Sequence, residues 1–188
     1  MKNKKYKEQV NKLINLHIPD QAVKEWTLKY FKETVPEYFW DVPASTSGKY
    51  HPPQAVTAHG LIKHTLMALY NLLDIIRLDY AHKSWGITDR ERSELVAAVL
   101  IHDTFKCGKP IEGADMAKHT MNGHELIPLE FIPKEFPIIY QGVAAHMGEW
   151  GAAKPECNFQ FIIHLADYLA SRKRFKKVAI CKNEYTGD

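Results

Sequence analysis

The sequence has few cysteines, no long apolar run and little net charge, and each shortage excludes a class of protein. The three cysteines are too few and too scattered along 188 residues for a disulfide framework. Every uninterrupted apolar run is shorter than the roughly 20 residues that a membrane span needs. The basic N-terminus lacks the apolar segment of a secretory signal, so we expect a cytoplasmic protein without membrane contact. A formal net charge of +3 is too small to indicate nucleic-acid binding by itself.

Apolar residues recur at helical spacing along most of the chain, which predicts an all-α fold. Asp20 is a natural N-cap, and Thr88 with Glu91 forms a capping box. The stretch 35–54 contains four prolines and a Ser/Thr cluster, which predicts a long ordered loop before the third helix. The predicted helices cover residues 5–17, 20–34, 56–78, 88–102, a segment from about 117, 133–146 and 158–174.

Ten histidines are the unusual feature of the composition. Four of them and two aspartates lie on or at the end of predicted helices among apolar neighbours: His64, His102, Asp103, His119, His146 and Asp167. A single histidine of this kind is most often a core residue with a hydrogen bond, but an aspartate there is costly unless it is paired or binds a metal. Imidazoles and carboxylates together suit one or two divalent transition metals rather than calcium or a thiolate zinc site.

Several motifs resemble those of the HD-domain superfamily of metal-dependent phosphohydrolases. The order His64, His102-Asp103, Asp167 is similar to the H…HD…D signature of that superfamily, and GLIKHT, HDTFK, HTMNG, AAHMGEWG and LADYLASR resemble its neighbouring segments. The resemblance spans roughly residues 43–172. It implies a single compact helical bundle over 1–188, with a metal-binding core at 43–174 and an N-terminal helical extension at 1–40.

The resemblance also implies a ligand set. Members of the dinuclear subgroup would hold a first metal with residues equivalent to His64, His102, Asp103 and Asp167. Asp103 would bridge to a second metal, and His119 and His146 would complete that second site. Manganese, iron, cobalt, nickel and zinc are all compatible with these donors. His124 and His164 do not match the motif, and we expect them to be non-ligand neighbours.

The implied activity is hydrolysis of a nucleotide or nucleic-acid phosphoester by a metal-activated hydroxide. Asp103 and Lys106 would be catalytic, since Lys106 follows Asp103 by three residues and can reach a phosphate. Ser47 and Lys49 lie in a hydroxyl-rich loop with a glycine that could bind an anion, and Arg172 is a further candidate for substrate binding. The expected substrate is a small nucleotide or an oligonucleotide.

The sequence also leaves the exact function, the role of two tryptophans and the oligomeric state open. No GYP motif follows His146, which makes cyclic di-GMP an unexpected substrate. A catalytically silent regulatory module that binds metal and nucleotide is an alternative, and so is a helical protein with incidental histidines. Trp40 and Trp150 are candidates for base stacking or for the core, and the sequence does not indicate an oligomeric state.

Overall fold

The computed structural model describes residues 2–48, 51–82, 85–119 and 121–172, so that Lys49 of the predicted anion-binding loop lies outside the described residues. Within these ranges the secondary structure is entirely helical, which confirms the predicted all-α fold. The α-helices are α1 (Lys2–His17), α2 (Gln21–Glu33), α3 (Gly60–His82), α4 (Asp89–Ile101), α5 (Pro137–Ala145) and α6 (Asn158–Ala170). Six short 3₁₀ helices lie between them: Glu37–Trp40, Pro53–Val56, Met116–Lys118, His124–Leu126, Pro128–Phe131 and Gly148–Trp150.

Helix α4 is the centre of the fold. Every residue from Ser93 to Ile101 is buried, because α1, α2, α3, α5 and α6 all pack against this helix. The structure thus buries residues 93–101 of α4 on all sides, and not only on a single apolar face. Its C-terminal end therefore lies in the interior, and this end carries His102 and Asp103.

Helices α3 and α6 pack along each other beside α4. The side-chain amide of Asn71 in α3 donates a 3.0 Å hydrogen bond to the backbone carbonyl of Ala166 in α6, which fixes their relative position. Although α3 is 23 residues long, none of the helices in the described ranges combines the length and apolar character of a membrane-spanning segment.

The predicted loop before α3 is ordered wherever it is described. Phe39 and Trp40 are buried in the core, so Trp40 is not available for base stacking. Two backbone hydrogen bonds, from the amide of His59 to Asp41 and from that of Leu61 to Val42, return the chain to the start of α3. The loop thereby positions the first turns of α3 against the core.

The segment between α4 and α5 differs from the prediction. The helix expected from about residue 117 is absent, and the described part of the segment contains three 3₁₀ helices instead. Gly123 adopts a left-handed φ of 76°, which a residue with a Cβ rarely adopts, and Pro128 removes a helical hydrogen-bond donor. These residues break the helical repeat, and α5 begins at Pro137.

A polar network joins the starts of α2 and α5 to α4. The Asp20 carboxylate accepts hydrogen bonds from the Val23 amide at 3.0 Å and from Arg90 at 3.0 Å. Arg90 also donates to the buried Glu94 at 2.8 Å, and Glu94 accepts from the amide of Ile138 at 2.9 Å. Asp20 is thus both the predicted N-cap of α2 and the outer member of this network.

Replacing Asp20 with alanine is expected to lower the free energy of unfolding by about 1 kcal/mol, because the α2 N-cap is lost. The Val23 amide, more than the Arg90 charge, holds the pKa of Asp20 below its usual value, although burial opposes this shift. The stabilising contribution is therefore present at neutral pH and disappears as the pH falls through the folded-state pKa. Thermal unfolding of the wild type and Asp20→Ala at neutral and acid pH tests this. A difference in melting temperature that persists unchanged in acid would contradict it, and Asp20→Asn, which keeps a capping oxygen, is the matched control.

Candidate metal centre

Five of the residues singled out in the sequence meet at one point in the interior. His64 lies in the second turn of α3, and Asp167 lies in α6. His102 caps the C-terminus of α4, Asp103 follows it, and His146 caps the C-terminus of α5. The three histidines and Asp103 are at most 1% exposed.

One group of ligand atoms surrounds the Oδ2 atom of Asp103. The His64 Nε2 atom lies 2.9 Å from Asp167 Oδ1 and 3.5 Å from Asp103 Oδ2. The His102 Nε2 atom lies 3.4 Å from His64 Nε2, 3.5 Å from Asp103 Oδ2 and 3.6 Å from Asp167 Oδ1. Ligands about 2.1 Å from a shared ion at angles of 90–110° would be roughly 3.0–3.4 Å apart. The distances between these four atoms are close to those expected for ligands of one shared cation.

A second group surrounds the other oxygen of the same carboxylate. Asp103 Oδ1 lies 2.8 Å from His124 Nε2 and 3.4 Å from His146 Nε2. The three side chains form a group whose ligand atoms could hold a metal ion. The two oxygens of Asp103 therefore face two different sets of donors.

The orientation of three imidazoles is set by the backbone. The Nδ1 atoms of His102, His124 and His146 lie 2.6, 3.0 and 2.7 Å from the carbonyl oxygens of Val99, Met121 and Val143 respectively. A carbonyl can only accept a hydrogen bond, so each Nδ1 donates. In the neutral ring, the lone pair is then on Nε2, which points into the cluster. This arrangement is typical of metal-binding histidines, whose second nitrogen is held by a protein acceptor.

The carboxylates of the cluster are ionised. Burial raises the pKa of Asp103, but the charge of Lys106, the neighbouring His102 and the close contact with His124 bring it well below its usual value. Burial also raises the pKa of Asp167, but the imidazoles of His102 and His64 beside it outweigh this effect, so its pKa also lies well below the usual range. The interior thus contains two negative charges close together.

Three buried atoms of the cluster residues have no hydrogen-bond partner among the described residues: His64 Nδ1, Asp103 Oδ2 and His146 Nε2. Asp103 Oδ2 and His146 Nε2 are also among the candidate ligand atoms described above. An anionic oxygen and an imidazole nitrogen left without partners in the interior are costly, and a cation would satisfy both. Burial lowers the pKa of His146, which favours its neutral, ligand-competent form. The buried His/Asp cluster therefore fits a divalent metal site.

Comparison with protein families agrees with this geometry. The HD domain model matches residues 61–172, well over half of the chain. The chain belongs to the HD domain family. Comparison with curated proteins and with solved structures gives no match. All residues of the cluster lie within the matched range, whereas Ser47 lies outside it.

The structure places His124, rather than the predicted ligand His119, beside Asp103. His119 is exposed at the end of the 3₁₀ helix Met116–Lys118, and it belongs to none of the candidate metal groups found among the described residues. His124 is buried and contacts Asp103 directly. The sequence around the two residues has no helical repeat from which the directions of their side chains could be predicted, because the left-handed Gly123 interrupts it.

Lys106 lies beside the His/Asp cluster, and 14% of its side chain is exposed. Its Nζ atom is 3.1 Å from Asp103 Oδ1 and 3.3 Å from His124 Nε2. Burial lowers the pKa of Lys106, but the charges of Asp103 and Asp167 raise it more, so the ammonium group stays charged. The HD domain thus places a fixed positive charge beside the proposed bridging carboxylate.

A cavity of about 340 Å³ opens directly onto the cluster. Lys106, His146 and Asp167 line its inner end, and its other lining residues are His51, Met147, Trp150, His164, Tyr168, Ser171 and Arg172. The predicted substrate residue Arg172 thus lies in the cavity wall, whereas Ser47 is exposed and is not part of this wall. Burial and the nearby His64 and Lys106 lower the pKa of His51 to about 4, so His51 is neutral near pH 7.

Proposed function

We propose that this HD domain is a divalent-metal-dependent phosphohydrolase that acts on a nucleotide or nucleic-acid phosphoester. One observation carries the proposal: the two oxygens of Asp103 face two adjacent groups of buried donors. A carboxylate can bind two cations at once, which an imidazole nitrogen cannot. The arrangement supports a pair of metal positions that share Asp103.

The proposed ligands divide between the two positions. His64, His102, Asp103 and Asp167 would hold one cation. Asp103, His124 and His146 would hold the other. Nitrogen and oxygen donors without thiolates suit manganese, iron, cobalt, nickel or zinc. When bound, such cations lower the pKa of a coordinated water and neutralise charge on the phosphoryl oxygens.

The side chains around the cluster would bind and orient the substrate. Lys106 presents its charge at the inner end of the cavity, where a phosphate must lie to reach the cluster. Arg172 lies on the cavity wall and adds a second cation. The predicted contribution of Ser47 and Lys49 to anion binding stays a prediction. It is tested by the Michaelis constant of Lys49→Ala.

A screen for phosphate release tests the proposed activity. The full chain, loaded with Mn²⁺, is incubated with nucleoside phosphates, dinucleotides and oligonucleotides, and the products are identified by mass. We expect turnover that EDTA abolishes and that added Mn²⁺ restores. Metal and nucleotide binding without turnover would instead support the alternative, a regulatory HD module.

Replacing His124 with alanine is expected to lower the bound metal from two ions to one per chain, whereas His119→Ala should leave it unchanged. The two histidines lie in the same loop, but only His124 contacts Asp103. Elemental analysis after gel filtration measures the metal content of both variants. Metal loss in His119→Ala together with a full complement in His124→Ala would contradict this assignment.

A further inference from the structure

Trp150 is an exposed tryptophan at the edge of the cavity that leads to the His/Asp cluster. Its exposed fraction is 65%, although it lines the cavity beside Tyr168 and Arg172. An aromatic side chain that is open to water in the lining of a candidate active site is positioned to contact a ligand there. The proposed phosphohydrolase activity does not by itself use this side chain.

The loop that carries Trp150 is held in place from both sides. Gly148 adopts a left-handed φ of 58°, and a Cβ at this position would lie within 2.5 Å of the His164 ring. His164 donates a 2.6 Å hydrogen bond to the carbonyl oxygen of His146. The amide of Ala152 donates to the buried carboxylate of Glu125 at 3.0 Å. The exposure of Trp150 is therefore a feature of a fixed loop.

Two further side chains extend the aromatic surface. The ring of Tyr168 is nearly parallel to that of Trp150, with an interplanar angle of 9° and a centroid distance of 6.4 Å. The guanidinium carbon of Arg172 lies 3.8 Å from the centroid of the Tyr168 ring. Flat π surfaces and a guanidinium are the groups on which proteins stack nucleobases.

We propose that Trp150, Tyr168 and Arg172 form a nucleobase-binding platform that makes one nucleotide unit the substrate of this site. The inference rests on the proposed function, which places the phosphate beside Lys106 and the His/Asp cluster. From there, a base attached through a sugar would extend along the cavity to the platform. The volume of about 340 Å³ lies at the small end of the ~300–1,000 Å³ range of ligand pockets, and so favours one nucleotide over two.

A matched pair of ligands separates the platform from the phosphate site. Ribose 5-phosphate has the same sugar and phosphate as adenosine 5′-monophosphate but a hydroxyl group in place of the base. Calorimetric titration of the full chain with Mn²⁺ should give about tenfold weaker binding of adenosine 5′-monophosphate to Trp150→Ala, with ribose 5-phosphate unaffected. Trp150→Phe should recover most of the lost affinity. Trp85→Ala removes an exposed tryptophan from a different groove and should bind both ligands like the wild type.

Tryptophan fluorescence provides a readout that needs no turnover. Adenosine 5′-monophosphate should quench the wild-type emission in a saturable way, and the quenching should disappear in Trp150→Phe but persist in Trp85→Phe. Nucleotide binding that depends on Trp150 in a protein without hydrolytic activity would overturn the proposed function and leave the platform standing. Equal affinity of Trp150→Ala and wild type for adenosine 5′-monophosphate would overturn the platform, whatever the activity of the protein.

Discussion

Replacing Asp103 with alanine is expected to release the bound divalent metal and to lower phosphoester hydrolysis by at least about 10³-fold. The reason is geometric, because Asp103 is the residue whose Oδ1 and Oδ2 atoms face two different groups of donors. Its removal takes one ligand from each group at once. Elemental analysis and the kcat/KM of the variant measure the two effects on the same sample.

Two further variants test whether the effect depends on the charge and the position of Asp103. Asp103→Asn keeps the shape of the side chain but removes the negative charge, so it should retain the fold and lose most of the metal. Asp74→Ala removes an aspartate whose side chain is 80% exposed on α3, and it should behave like the wild type. Circular dichroism checks that each variant is folded. A folded Asp103→Ala protein with a full metal complement and ordinary turnover would refute the shared-ligand arrangement.

Lys106→Ala is expected to lower kcat/KM by roughly 10²–10³-fold while the metal content stays the same or rises. The ammonium group lines the inner end of the cavity, where its charge can meet a substrate phosphate. It also engages Asp103 Oδ1 and His124 Nε2, two of the proposed ligand atoms. Removing Lys106 frees both of these atoms for a cation, so metal affinity should not decrease.

The control for this variant lies three residues further along the chain. Lys109 is 58% exposed and pairs with Glu130 on the surface, so Lys109→Ala removes the same charge away from the cavity. It should leave both kcat/KM and metal content unchanged. Metal loss in Lys106→Ala would show instead that this lysine acts by holding Asp103 in place.

The sequence identified most of the cluster because its members interrupt buried helical segments. His102 and Asp103 end an apolar run, and Asp167 lies inside another, so the cost of burying them pointed to a shared site. His124 was missed because its position depends on a left-handed turn at Gly123 and a short 3₁₀ helix. Such a turn has no periodic pattern from which the direction of a side chain could be predicted.

Trp40 and Trp150 also show where prediction from the sequence ends. Trp40 and Trp150 are equivalent candidates in the sequence, since both lie outside strongly periodic segments. The structure separates them, with an exposed fraction of 2% for Trp40 and 65% for Trp150. Long-range packing decides such cases, because Trp40 contacts Phe31 from a different helix and Trp150 lies near Tyr168 of α6.

The burial of residues 93–101 of α4 on all sides constrains how the length of this chain can change. Each residue of an α-helix turns the chain by about 100°, so one inserted or deleted residue within α4 would rotate His102 and Asp103 away from their partners. The helix cannot slide to compensate, because five helices enclose it and the Thr88 capping box fixes its start. The exposed segment 110–113 between α4 and α5 has no such restriction. Natural length variation is therefore expected to concentrate there, whereas the number of residues from Thr88 to Asp103 stays constant.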